Sequence, residues 1–147
     1  MSDSKTFTLA EAQNLLPLVE GLLNRAIEGK DKAQSIEREM QALNQRIFLS
    51  GGLQVDVVAA ARRRAEQTAA VRRAQDAVSE LGAIGVQLKD LDKGLLDFPC
   101  LLEGEVVLLC WKLGEPEIAH WHTMESGFSG RQPIDERFTQ NKKKRPN

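Results

Sequence analysis

Apolar or small side chains recur along the first third of the chain at positions 15, 18, 22, 26, 29, 33, 36, 40, 43 and 47. The steps alternate between three and four, the rhythm of a long helix that turns one stripe toward a partner. A helix over 8–49 is predicted. Thr8 followed by Glu11 has the form of a capping box at its start. Pro17 falls inside the pattern, where it should bend the first turns or mark the true beginning. Such a helix spans roughly 60 Å at 1.5 Å per residue, more than a small domain buries alone, so it needs a partner.

"LSGGLQVD" stops the first pattern at Gly51 and Gly52, and a second is predicted over 54–88 with Asp56 as a candidate N-cap. Val57, Ala60, Val71, Ala74, Val78, Leu81, Gly85 and Leu88 keep the rhythm, while Arg64 and Gln67 interrupt it. Two long helices joined by a Gly-Gly turn predict an antiparallel, coiled-coil-like hairpin. The texture then changes. Lys89 to Gly94 reads as the end of the helix and a loop. "EVVLLCW", 105–111, reads as a buried strand, and "EIAHWHT", 117–123, as a second. "LLDFP" pairs as a third through a turn at Glu103-Gly104. The expected class is α+β, a helical hairpin followed by a small antiparallel β-meander packed at one end. The expected organisation is one domain over 1–138, with a β module at 95–134, and a disordered basic tail at 139–147.

Composition narrows the partners. The chain has 147 residues, 41% hydrophobic, with a formal charge of −1. That balance gives no global pull toward nucleic acid or membrane. Arg62 and Arg73 share a helical stripe, but Glu66, Asp76 and Glu80 interleave with the arginines, so a solvated face is expected and nucleic-acid binding is not. Two cysteines, Cys100 and Cys110, are too few for a disulfide framework. The N-terminus lacks the pattern of a secretory signal, and no apolar run reaches the ~20 residues of a membrane span. A cytoplasmic protein is expected. Uncovered helix surface favours a homo-oligomer, a dimer first, or a helical protein partner.

The candidate chemistry lies in "IAHWHTMESGFSGR", 118–131, which holds both histidines. Strand alternation puts Ile118, His120 and His122 on one face and Trp121 on the other. Two imidazoles on one face can reach one divalent transition metal, and His122, His120 and Glu115 form the candidate ligand set. Cys110, Asp97, Glu117 and Glu125 are further candidates for a third ligand. His122 is also a candidate general base, oriented by Glu115 or Asp97. Cys110 sits amid "VVLLCW", where the role of a small buried hydrophobe fits better than that of a nucleophile. Arg131 follows a tight Gly-Phe-Ser-Gly loop and suits either an anion clamp or an ion pair with Glu115, Glu125 or Asp97. Trp111, Trp121 and Glu125 complete the candidate ligand-binding set.

"FTLAEAQNLLPLV", "LKDLDKGLLDFP" and "LCWKLGEPEIAHWHTMESGFSGRQPI" together resemble the prokaryotic domain-of-unknown-function family 2203, from about Phe7 to Ile134. The resemblance rests mainly on the last segment. It implies that Asp97-Phe98-Pro99, Trp111, Gly114-Glu115, Trp121-His122, Gly127-Phe128 and Gly130-Arg131 belong to a shared pattern. It leaves His120 outside that pattern, so a family-wide site would rest on His122 with acids. It imports no mechanism. Two function classes follow: a polar small-ligand or metal site in the β module, catalytic or not, and a helical-hairpin interaction scaffold with a structural β cap.

Overall fold

The computed structural model describes residues 5–51 and 56–139. Gly52, the predicted start of the second helix at 54, and the basic tail from 140 lie outside the described residues. Two helices, α1 (Leu9–Leu49) and α2 (Val57–Ile84), precede five strands: β1 (Gln87–Asp90), β2 (Leu95–Leu102), β3 (Glu105–Lys112), β4 (His120–His122) and β5 (Gln132–Pro133). The chain divides into two compact units. Among the described residues, one takes those up to Leu23 and from Val78 onward; the other lies within Asn24–Ala77. The class is α+β, a helical hairpin followed by an antiparallel meander.

The helix starts form as their sequences predict. The Thr8 amide donates to Glu11 Oε1 at 2.9 Å and the Glu11 amide to Thr8 Oγ1 at 3.1 Å, a closed capping box. The Ala59 amide donates to Asp56 Oδ1 at 3.0 Å, so Asp56 caps α2. Pro17 neither starts nor ends α1, which runs through it. The expected stripe needs a shift at its beginning. Leu16 and Val19 are buried, whereas Leu18 is 52% exposed. Four apolar residues flank Pro17, so spacing alone does not choose among the faces there.

In the Asn24–Ala77 unit the two helices run antiparallel and close. A Cβ on Gly29 would lie 2.6 Å from the Ala70 carbonyl oxygen, so glycine permits a close approach of the two helices there. Gln67, which breaks the apolar rhythm, is an inward-facing polar tie. Its amide donates to Glu37 Oε1 at 2.8 Å and to the Ala33 carbonyl at 3.3 Å. The arginines that follow the turn are charge-compensated: Arg63 binds Glu39 and Glu66, and Arg64 binds Glu37.

The second helix stops before the predicted residue 88. Gly85 adopts φ +109, and the Val86 amide donates to the Leu81 carbonyl at 3.1 Å, the long bond of a Schellman stop. The residues read as helix end and loop therefore form β1, which pairs with β2. The sheet order is β1-β2-β3-β4-β5, all antiparallel neighbours. Cross-strand register sorts the side chains. Leu96 opposes Trp111, and Phe98 opposes Leu109, which opposes Trp121 on the other side. This face meets apolar partners: Phe7 packs edge-on against Phe98 at 5.6 Å, and Phe138 tilts against Trp121 at 5.6 Å. The opposite face carries Asp97, Cys110 and His120 in one row and Leu108 with His122 in the next.

Candidate functional site

Three strands bring Asp97, Cys110 and His122 together. All three are buried, at 2%, 1% and 3% exposure. One ligand-type atom from each lies within 4.8 Å of the others. The His122 ring is held at both nitrogens. Its Nδ1 lies 2.8 Å from the Thr123 carbonyl, which accepts only, so Nδ1 carries a proton and donates it there. Its Nε2 lies 3.1 Å from each oxygen of Asp97. A lone pair does not face a carboxylate without a proton between them. One proton is therefore shared by the Asp97–His122 pair. Burial pushes the Asp97 carboxyl above its ordinary range, with His122 and then Lys89 opposing the shift. Burial also pushes the Cys110 thiol up to about 12, with Asp97 adding to the rise, so it is protonated at neutral pH.

These groups border a solvent-open cavity of about 160 Å³, lined elsewhere by Lys89, Leu95, Leu108, Met124, Gly127 and Phe128. The loop after β4 supplies Met124 and Phe128. It is pinned by a reciprocal Thr123–Ser126 turn, in which each backbone amide donates to the other's hydroxyl at 3.2 Å. Lys89 comes from β1, at the one-residue slip in register between Leu88 and Asp90. Such slips re-aim side chains.

The other candidate residues form a second network. Arg131 Nη2 donates to Glu115 Oε2 at 2.8 Å, to Glu115 Oε1 at 3.1 Å and to His120 Nδ1 at 2.8 Å. An arginine only donates, so His120 Nδ1 accepts and the ring carries its proton on Nε2. Glu115 also caps the turn after β3 by accepting the Lys112 amide at 3.0 Å. Of the alternatives for Arg131, the ion pair with Glu115 is the one formed. Of the two carboxylates weighed as partners for His122, Asp97 is the one in contact.

The remaining candidates stand apart from the cavity. Trp111 and Trp121 lie on the opposite face of the sheet, in the core. The Trp111 ring N–H donates to the Glu115 carbonyl at 3.0 Å. Glu125 is exposed. Lys89 has no local signal of this role, because Gln87–Asp90 carries little strand pattern and reaches the cavity only by pairing with β2. Cys110 was weighed mainly as a hydrophobe, since only the strand register shows which residues it opposes.

The family model for an uncharacterized conserved protein, DUF2203, matches residues 5–134. The chain belongs to the DUF2203 family. No curated protein and no solved structure matches it. The DUF2203 match spans the whole sheet and both networks, so Asp97, Cys110, His122, Glu115 and Arg131 all lie inside the family region.

Proposed function

We propose that the β module is a transition-metal site, with zinc the best-suited ion, held by Asp97, Cys110 and His122. The observation that carries the reading is the convergence of one carboxylate, one thiol and one imidazole within 4.8 Å at the wall of a cavity. Carboxylate oxygen, thiolate sulfur and imidazole nitrogen are zinc's protein donors. A tetrahedral ion with bonds of about 2.0–2.3 Å keeps its donors about 3.3–3.7 Å apart, so the triad needs a contraction of roughly 1 Å at its widest. The His122 contacts support the same reading. A metal-binding histidine usually donates its second N–H to a carbonyl or carboxylate, and His122 does so to Thr123 while Nε2 faces Asp97.

Three protein donors leave a coordination position for water or a small ligand, the arrangement of centres that act on bound molecules rather than only brace the fold. The reading makes the ion displace two protons, the Cys110 thiol proton and the one shared by Asp97 and His122. Titration with Co²⁺ tests it. The expected result is one ion per chain with a thiolate-to-cobalt absorption band that disappears in Cys110→Ala, and no binding in His122→Ala. A wild-type protein that takes up neither Co²⁺ nor Zn²⁺ would sink the proposal.

A second reading rests on a different observation, in the Asn24–Ala77 unit. Phe48, Leu49 and Val57 are 83%, 74% and 74% exposed, large apolar side chains that a solvated helical hairpin does not need. It supports pairing of the hairpin with a second copy of the chain. Sedimentation should then show a dimer that Phe48→Ser with Leu49→Ser dissociates. A monomer at every concentration removes this reading.

A further inference from the structure

The cavity beside the triad is larger and less polar than a water site requires. Its volume is about 160 Å³. A cavity of about 150 Å³ accommodates a molecule the size of benzene, so there is space for roughly six non-hydrogen atoms. Leu95, Leu108, Met124 and Phe128 give it apolar walls, and Lys89 is the one cation among the described residues that line it. Lys89 acts electrostatically on Asp97, which puts its charge within range of the triad.

Charge then selects the ligand. A divalent ion with the Asp97 carboxylate, the Cys110 thiolate and a neutral His122 is formally uncharged. Lys89 adds one positive charge that Asp97, once committed to the ion, no longer balances. A dianion would leave an excess negative charge beside apolar walls, and a neutral molecule would leave Lys89 without a counter-charge. Resting on the metal reading above, we propose that the open position takes a small monoanion with an apolar body, of the short-chain carboxylate class. Its carboxylate meets the ion and Lys89, and its hydrocarbon part lies against Leu108, Met124 and Phe128.

Butyrate is the probe, added to Co²⁺-loaded protein. Binding at the metal changes the visible cobalt spectrum and should saturate at roughly millimolar concentration. Lys89→Ala, an exposed position outside the triad, should leave the cobalt–thiolate band intact and weaken butyrate about tenfold. Leu108→Phe should abolish the butyrate response by filling the cavity, with the variant's fold checked by circular dichroism. A normal cobalt band that does not respond to butyrate, or equal butyrate affinity in wild type and Lys89→Ala, overturns the monoanion proposal while leaving the metal reading standing. Absence of the band itself overturns both, through the metal reading.

Discussion

His120 and His122 share one strand and one face, yet they sit in opposite electrostatic settings. His122 is buried, faces a carboxylate and a thiol, and needs a proton or a cation to hold its contact with Asp97. His120 accepts from an arginine whose charge Glu115 already neutralises, although the buried Arg131 Nε has no hydrogen-bond partner. A cation has something to gain only at His122. The pattern His-x-His suggests one site with two ligands, and the neighbours separate it into a proton-dependent pair and a charge-neutral ion pair.

The sharpest way to break this contrast is to remove each ring in turn and follow zinc binding. His122→Ala should cost more than the roughly 10–100-fold that loss of an outer partner typically costs a metal site, whereas His120→Ala should leave zinc affinity unchanged. Calorimetric titration of both variants checks this. Equal losses would mean the two histidines act on one ion after all.

Stability without metal should rank the same way. His122→Ala strands Asp97 in a buried site, and removal of one partner from a buried pair costs about 3 kcal/mol. Glu115→Ala takes the carboxylate away from Arg131, whose side chain is 14% exposed in the wild-type fold, at a cost of about 1–2 kcal/mol. His120→Ala, which leaves the Arg131–Glu115 pair in place, should cost less than about 1 kcal/mol. Urea unfolding of the three variants tests the order, and a larger loss for His120→Ala than for His122→Ala would reverse the assignment of roles.

The pH dependence sharpens the comparison further. Asp97 has its carboxyl raised by burial, so the folded state holds a proton that the unfolded chain releases. This contribution is fully present below the ordinary carboxylate value of 3.8 and is lost as pH rises through the raised value. Metal-free Asp97→Asn should therefore show a flatter fall of stability with rising pH than wild type in thermal melts. Parallel curves for the two proteins would place the titrating group elsewhere.

At the helix starts and turns, local chemistry was enough. The Thr8–Glu11 box, the Asp56 cap and the Glu103-Gly104 turn each involve residues within a few positions of one another, and each forms as read. Strand β3 was legible for the same reason, as a continuous apolar run bounded by turn residues, and "LLDFP" marked the start of β2. Where apolar residues crowd, as around Pro17, several faces satisfy the same spacing, and only the packing of the folded unit picks Leu16 and Val19. β1 was missed because Gln87–Asp90 carries little strand signal of its own. It is a strand because Gly85 ends the helix and β2 offers it an edge.

The sequence by itself determined the two helices, their N-terminal caps, the α+β class and the stretch that carries the histidines, because those features depend on neighbours along the chain. The tertiary structure alone decided that His122 meets Asp97 and Cys110, that Glu115 goes to Arg131, and that both tryptophans face the core. Asp97, Cys110 and His122 come from three different strands, and their meeting depends on register. A slip of one residue in any of those pairings would turn the side chain to the other face of the sheet. Register is set by the packing of both faces at once, and no window of sequence contains it.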